Sequence, residues 1–176
     1  MNATSGHADA SANQRIVEAA QQEFAQRLIR YARIFVVRQD LAEEIVQDTF
    51  LQLCQLANIP EEPFIGPWLF RVCRNRAIDV QRKEKRMKPE SSSLLHSAIS
   101  HSTKPDELLS QKETISHLQT LLGELTENQQ EVVRLKFQNG FSYRQISEVT
   151  GLSISNVGVQ LHEAILRIRG KLSSAS

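Results

Sequence analysis

The stretch SYRQISEVTGLSISNVGVQLHEAILRIR, from Ser142 to Arg169, decides the fold of the C-terminal part of the chain. It predicts a short helix, a turn at Gly151, and a longer helix that begins at the serine cap Ser153. Gly151 suits the turn because glycine reaches positive φ without steric cost. Apolar residues at helical spacing on both helices would pack against each other, which is the geometry of a helix-turn-helix.

The outer face of the second helix follows from the rotation of about 100° per residue along an α-helix. The buried face is predicted to contain Val157, Leu161, Ala164 and Ile165. Ser155, Asn156 and Val159 then point outward near the helix N-terminus. Side chains at that end of such a helix can contact base edges in a DNA major groove. A plain helical hairpin is the alternative interpretation of the same pattern.

The rest of the chain also has a helical pattern. Apolar residues recur at steps of three and four over about 14–38, in a second segment that starts with Asp40 as N-cap, and in a third that starts near Trp68. The chain contains only 7 glycines and 5 prolines in 176 residues, which favours helices over sheets with their many turns. The predicted fold class is all-α: two small helical domains joined by a flexible linker, the second with a helix-turn-helix.

Two capping boxes support the C-terminal helices. Thr126 with Gln129, and Ser142 with Gln145, each place a hydroxyl and a glutamine three residues apart at a helix start. Asn139-Gly140 is a C-terminal signal for the first of these helices, which also carries Phe137 among its apolar residues.

Changes in composition suggest four segments. Residues 1–13 are small and polar and are predicted to be a disordered tail without a secretory signal. Residues 14–88 form the first helical domain, and 106–172 form the helix-turn-helix domain. Between them, 89–105 carries prolines and a serine run and is predicted to be the linker.

Composition also excludes several classes of protein. No stretch approaches the roughly 20 apolar residues that a membrane-spanning helix needs, so membrane insertion is not expected. Cys54 and Cys73 lie far apart among apolar residues and are interpreted as core residues of a cytoplasmic protein, with a disulfide as the minor alternative. No catalytic triad order, phosphate-binding glycine loop or metal-ligand cluster occurs, so we expect no catalytic residue, metal or cofactor.

The net charge of +1 hides an alternation along the chain. Residues 71–88 carry +6 and residues 131–176 carry +3, while the blocks 1–70 and 89–130 each carry −4. The two cationic blocks could each contact DNA and the acidic blocks a protein, or all of them could be solvated helix surface.

The third helix concentrates the positive charge opposite its apolar stripe. Asn75 lies among arginines and offers both a donor and an acceptor to a base edge. Trp68 is either a core anchor or a platform on which an unpaired base stacks. Asp79 can pair with Arg82 or Lys83 at helical spacing. The cationic members of this face, which suits a phosphate track, are Arg71, Arg74, Arg82, Lys83 and Arg86.

The second helix has an acidic face. Asp40, Glu44 and Asp48 are four residues apart, so their like charges repel unless a basic partner is bound. Attraction of acids to a helix N-terminus explains Asp40 and Glu43 but not Asp48.

The sequence resembles the extracytoplasmic-function (ECF) sigma factors of bacterial RNA polymerase. DLAEEIVQDTFLQL (40–53) followed by PWLFRVCRNRAIDVQRKEKR (67–86) is similar to their first conserved domain. The helix-turn-helix that follows TENQQEVVRLKF (126–137) is similar to their second.

The resemblance implies a sigma factor that directs core RNA polymerase to promoters and is not an enzyme. The first domain would recognise and melt the −10 promoter element through Trp68, Arg71, Arg74, Asn75, Asp79, Arg82, Lys83 and Arg86. The second would bind the −35 element as duplex through Arg144, Ser153, Ser155, Asn156, Val159, Gln160 and Arg167. Docking on the polymerase, at the β′ clamp with β as a further contact, would use Asp40, Glu43, Glu44, Gln47, Asp48 and Phe50. An anti-sigma factor is a further candidate partner.

The chain departs from the family in its recognition helix. Gly158, Gln160 and Glu163 stand where relatives often carry Lys or Arg, which weakens phosphate anchoring by the helix itself.

Two other functions remain open from the residues alone. A one-component repressor would bind duplex DNA tightly without polymerase, and a helical adaptor would tolerate charge reversal at its arginines.

Overall fold

The computed structural model describes residues 5–87 and 122–174. The first part contains α1 (Ser5–Ala32), α2 (Gln39–Cys54) and α3 (Ile65–Met87), and the second contains α4 (Glu127–Phe137), α5 (Tyr143–Thr150) and α6 (Ile154–Ser174). α1 to α3 build one compact unit, and the second unit is built around α4 and α6. The predicted all-α class with two helical domains is confirmed.

Several predictions about segments remain untested. The predicted linker, 89–105, and residues 106–121 of the predicted second domain lie outside the described residues. The domain limits 14–88 and 106–172 therefore stay predictions.

The N-terminal tail is a difference between expectation and structure. α1 begins at Ser5, so residues 5–13 of the predicted disordered tail belong to the helix. Ala8, Ala10 and Ala12 explain this, because alanine has the highest helix propensity and loses no side-chain entropy. α1 also ends earlier than predicted, at Ala32, and Val36 beyond it is buried in an irregular turn.

The core of the first unit lies where its three helices meet. Fully or almost fully buried side chains come from each helix: Leu28 and Ala32, Ile45 and Leu53, Leu69, Phe70 and Cys73. The ring of Phe70 lies 5.0 Å from that of Tyr31, which joins α3 to α1. Burial of a side chain such as Phe70 or Leu28 contributes about 1.5–3 kcal/mol each, so this cluster holds the helices together.

Two helix starts differ from the sequence prediction. Asp40 is not an N-cap: α2 begins one residue earlier, at Gln39, and its N-cap position, Arg38, makes no side-chain cap. Asp40 instead lies in the first turn, where a carboxylate is favoured by the helix dipole. α3 begins at Ile65, three residues before Trp68, and accommodates Pro67 in its first turn, where a missing N–H removes no helical hydrogen bond.

The second unit is capped as its sequence predicts. Thr126 and Ser142 each open a complete capping box with Gln129 and Gln145. Gly140 and Gly151 have φ of 71° and 76°, so both chain reversals use the left-handed region that glycine reaches without strain.

Both helices predicted to form the helix-turn-helix bury apolar residues in the second unit. Ile146 of α5 and Val157, Leu161 and Ala164 of α6 are almost completely buried. Ile165, predicted on the same face, is 38% exposed, because it lies one residue and therefore about 100° beyond Ala164. Phe137 at the end of α4 is also exposed.

Candidate nucleic-acid and protein interfaces

The face of α3 opposite the core is polar and exposed. Arg71, Asn75 and Asp79 follow each other at four-residue steps, so their side chains lie in one row along the helix. The residues of this face that are exposed are Arg71, Asn75, Asp79, Arg82, Lys83 and Arg86. Their position opposite Leu69, Cys73 and Ala77 leaves the guanidinium and ammonium groups free to approach a polyanion.

Two members of the predicted set lie at the edge of this face. Arg74 and Trp68 are half-buried, and Arg74 interacts with other groups of the protein. The Trp68 backbone N–H donates to the Phe64 carbonyl at 3.0 Å, so Trp68 lies at the start of α3. Phe64, just before the helix, is 50% exposed. Trp68 is therefore partly enclosed by the protein and partly accessible.

Arg76 is a residue that sequence reasoning missed. Its Nε and Nη2 both lie 3.0 Å from Oδ2 of Asp48, and each side chain is about one third exposed. The pair joins α3, with its cationic face, to α2, with its acidic face. No sequence signal indicates this contact because the two residues are 28 positions apart.

The acidic face of α2 is partly paired within the protein. Asp40, Glu43, Glu44 and Gln47 are exposed. The Arg38 guanidinium donates to Asp40, with Nε 3.1 Å from Oδ1, and this hydrogen bond holds the pKa of the carboxyl below its ordinary value. Gln39 donates to Glu43 at 2.8 Å. The Asp40 carboxylate therefore keeps its negative charge at neutral pH.

Two predicted docking residues occupy different environments from the others. Asp48 is engaged by Arg76, as described above. Phe50 is only 5% exposed and belongs to the core, so it does not contribute to the surface of α2. Phe50 lies on the inner face of α2 because it follows buried Thr49 and stands four residues after buried Val46.

The N-terminal turns of α6 present small and polar side chains. Ser153 Oγ accepts from the Asn156 backbone N–H at 3.2 Å, which confirms the predicted cap, and the Ser153 and Ser155 hydroxyls lie 3.1 Å apart. Gln160 Nε2 donates to Asn156 Oδ1 at 3.4 Å. Val159 is 50% exposed on the same side of the helix. These residues form one continuous outward surface, and we call Ser155, Asn156, Val159 and Gln160 the recognition surface.

Glu163 has a structural explanation and Gly158 does not. A Cβ at Gly158 would lie 3.5 Å from the Tyr143 ring, an ordinary van der Waals contact, so packing does not require glycine there. Glu163 Oε2 accepts at 3.0 Å from Nε2 of Gln129, a residue that is 1% exposed. This hydrogen bond joins α6 to α4.

Three further cations of the second unit are exposed. Arg144 is exposed in the first turn of α5, and Arg167 is exposed two turns beyond the recognition surface. Lys171, near the end of α6, pairs with Glu124 at 3.0 Å.

The described residues contain neither a metal-binding cluster nor a membrane-spanning helix. Over residues 5–87 and 122–174, no group of three or more His, Cys, Asp or Glu is arranged to hold a metal ion. None of the helices described there combines the length and hydropathy needed to cross a bilayer.

The chain matches two family models. The model described as Sigma-70 region 2 matches residues 21–87, and the model described as Sigma-70, region 4 matches residues 116–168. The two matches together cover more than half of the chain, and they coincide with the two units that carry the surfaces described above.

Relatives of known function agree with these matches. The chain is 28% identical over 130 residues to the ECF RNA polymerase sigma factor SigM of Bacillus subtilis, covering 73% of this chain and 78% of that protein. It is 28% identical over 134 residues to the ECF RNA polymerase sigma factor RpoE of Cereibacter sphaeroides, covering 75% and 72%.

Two solved structures share the fold. The sigma factor RpoE of Bartonella quintana, solved with the anti-sigma factor NepR, has a TM-score of 0.68 and 22% identity, covering 89% of this chain and 96% of that one. CnrH, solved with the cytosolic domain of CnrY, has a TM-score of 0.62 and 24% identity, covering 95% and 94%. The two family models and the ECF relatives show that the chain belongs to the extracytoplasmic-function sigma factors, which direct RNA polymerase to promoters.

Proposed function

We propose that the two units of this sigma factor divide promoter recognition between them, the first recognising and melting the −10 element and the second binding the −35 element. The observation that supports the proposal is one exposed polar surface on each unit: the cationic face of α3 and the recognition surface of α6. The chain acts as a non-catalytic initiation factor in the cytoplasm, where core polymerase supplies the chemistry.

The −10 element is bound by the outer face of α3. Arg71, Arg82, Lys83 and Arg86 neutralise phosphates, while the Asn75 amide can donate to and accept from a base edge. Trp68 lies at the edge of the same surface, and its half-buried indole offers an aromatic ring on which an unpaired base can stack. Flipping a base from the duplex costs a few kcal/mol, which contacts of this kind offset.

The −35 element is bound by the second unit as duplex. The N-terminal turns of α6 enter the major groove, so Ser153, Ser155, Asn156, Val159 and Gln160 face the base edges. Arg144 and Arg167, at the two ends of this surface, contact the flanking phosphates.

Polymerase binds to the acidic face of α2. The exposed members Asp40, Glu43, Glu44 and Gln47 meet a basic surface of the β′ clamp, and the β subunit contributes further contacts. Asp48 lies at the edge of this surface in its pair with Arg76.

An anti-sigma factor is the proposed regulatory partner. One solved structure of similar fold is the sigma factor RpoE with the anti-sigma factor NepR, and another is CnrH with the cytosolic domain of CnrY, which supports a protein partner for this chain.

In vitro transcription tests this proposal. Purified chain added to core polymerase on genomic fragments should produce start sites that core polymerase alone does not use. Unchanged start sites would refute it. Tight, specific binding to duplex DNA by the chain alone, with no effect of polymerase, would favour the repressor instead.

The Asn75→Ala variant tests the role of α3. We expect promoter opening, followed by permanganate reactivity of unpaired thymines, to fall about 5- to 150-fold, because a base-edge contact is worth about 1–3 kcal/mol. Binding to core polymerase should not change, since Asn75 is exposed on the face opposite the core. Asp79→Ala, on the same row of α3, is the matched variant with a smaller expected effect. Equal losses of opening and polymerase binding by Asn75→Ala would contradict the assignment.

A further inference from the structure

We infer that the recognition surface of α6 selects an A·T-rich −35 element, with Val159 contacting a thymine methyl group and the Asn156–Gln160 pair reading adenine. The inference rests on the proposed function of the second unit in binding −35 DNA. It goes beyond that function by naming the bases and the side chains that discriminate them.

Val159 is the central apolar residue of the surface. It is 50% exposed in the second turn of α6, on the side opposite the buried residues Val157, Leu161 and Ala164. A valine has no hydrogen-bonding group, so it cannot read a donor or acceptor on a base edge. In the major groove the apolar group that distinguishes one base from the others is the thymine C5-methyl. An exposed Val159 therefore favours a thymine at the position it faces.

The amides beside Val159 are arranged to complement adenine. Gln160 Nε2 donates to Asn156 Oδ1 at 3.4 Å, which uses one donor of Gln160 and the acceptor of Asn156. The bond leaves both Asn156 amide hydrogens, the second Gln160 amide hydrogen and the Gln160 carbonyl oxygen to a partner. Adenine presents an acceptor at N7 and a donor at N6, so it uses both the donors and the acceptor of the pair. Guanine presents only acceptors there, N7 and O6, so the Gln160 carbonyl oxygen would have no donor to accept from.

The serines at the start of the helix do not change this preference. Ser153 Oγ caps the helix by accepting from the Asn156 backbone N–H, and it lies 3.1 Å from the Ser155 hydroxyl. A hydroxyl can donate or accept and therefore contacts any base. The discriminating groups of the surface are the valine and the two amides.

The distribution of Arg and Lys in the second unit also favours A·T pairs over guanine. The commonest contact to guanine is a bidentate arginine or a lysine, and the sequence has neither between Arg144 and Arg167. Arg167 lies eight residues beyond Val159, which is about 12 Å along the helix axis, so it reaches phosphates rather than the same bases. Glu163, between them, is held by Gln129.

A selection experiment with the complete holoenzyme tests the inference. Core polymerase with the full chain binds a pool of promoter fragments that carry a fixed −10 element and a randomised upstream segment. We expect the recovered fragments to be enriched in A·T pairs over three or four adjacent positions. Enrichment of guanine or cytosine there would overturn the inference but leave the −35 role intact. No upstream enrichment at all would refute the −35 role itself.

Base analogues then identify the contacts. Replacing the selected thymines one at a time by deoxyuridine removes only the methyl group, and at one position binding should weaken about fourfold, as for one buried methyl. Val159→Ala should abolish this sensitivity. Leu166→Ala is the matched control, because Leu166 is also exposed on α6 but lies two turns further along, and it should keep the sensitivity. If wild-type holoenzyme does not respond to deoxyuridine at any position, the role of Val159 is wrong.

A second analogue tests the amides. Replacing adenine by 7-deazaadenine removes the N7 acceptor, and binding should weaken roughly tenfold at the adenine read by Asn156. Asn156→Ala should lose the difference between adenine and 7-deazaadenine. If the variant keeps the full difference, another residue reads that base and the assignment to the Asn156–Gln160 pair fails.

Discussion

Gly151 carries the chain reversal between α5 and α6. Its φ is 76°, and a Cβ added there would meet no atom within 4 Å. A side chain at this position would therefore be strained by the backbone conformation alone and not by a clash.

This gives a prediction at the scale of one residue. Gly151→Ala should lower the free energy of unfolding by about 1–2 kcal/mol, the cost of a left-handed conformation for an L-residue. Gly170→Ala is the control, because Gly170 is helical with open space around it and alanine there should stabilise by up to about 1 kcal/mol. Urea denaturation measures both. Shifts in the same direction would contradict the explanation.

The two cysteines also differ at this scale. Both were expected in the core, yet Cys54 is exposed and only Cys73 is buried. Burial raises the pKa of the Cys73 thiol from 9.0 to about 12, although a hydrogen bond with Thr49 opposes the shift. The thiol thus stays protonated and enclosed in the folded unit.

Iodoacetamide should distinguish the two thiols. At pH 8 it should label Cys54 in the native protein and Cys73 only after unfolding, because the thiolate is the nucleophile.

The raised pKa of Cys73 also predicts a pH dependence of stability. As pH rises, the Cys73 thiol loses its proton in the unfolded state before it does so in the folded state. The free energy of unfolding therefore falls as pH rises from 9 towards 12, by about 1.4 kcal/mol per pH unit. Cys73→Ala should remove that part of the pH dependence. Equal labelling of both native thiols would show that Cys73 is not enclosed.

At the scale of the element, local chemistry was the most predictable part of the structure. The capping boxes at Thr126 and Ser142 and the serine cap at Ser153 each involve residues three positions apart, so the sequence contains the whole interaction. Two of the errors are one-residue offsets, at Asp40 and Ile165, where a helix start or a face differs by a single position. Contacts between helices, such as Gln129 with Glu163, depend on packing and were not readable from spacing.

The two capping boxes provide a matched pair of variants. Gln129 is 1% exposed and also donates to Glu163, whereas Gln145 is only partly buried and its side chain accepts from the Ser142 backbone N–H at 2.9 Å. Gln145→Ala should cost about 1 kcal/mol, the worth of one cap. Gln129→Ala should cost about 2–3 kcal/mol, because it leaves a buried gap and removes a hydrogen bond to a charged group. Thermal denaturation tests this order, and equal costs would show that the contact with Glu163 adds nothing.

At the scale of the whole molecule, the net charge of +1 concealed surfaces of opposite sign. The sequence located the positive blocks correctly, since Arg71 and Arg82 are exposed on one face of α3. It could not show which charges are paired inside the protein.

The Asp48–Arg76 pair connects the helix proposed to bind polymerase to the helix proposed to bind the −10 element. Because both groups are about one third exposed, solvent screens the pair and its contribution to stability is below about 1 kcal/mol.

The pairing leads to a prediction about polymerase binding. Reversing Glu43 and Glu44 to lysine should weaken affinity for core polymerase at least tenfold, about 1.4 kcal/mol, since both are exposed on the face proposed to meet a basic clamp. Asp48→Asn should weaken it much less, because its carboxylate is already held by Arg76. The double variant Asp48→Asn with Arg76→Gln removes both charges of the pair and should bind like the wild type. One outcome would contradict this explanation. If Asp48→Asn alone lowers the affinity for core polymerase as much as the reversal of Glu43 and Glu44 does, and adding Arg76→Gln does not restore that affinity, then Asp48 contacts polymerase directly. The pair with Arg76 would then have no part in polymerase binding. Fluorescence titration of labelled core polymerase distinguishes these results.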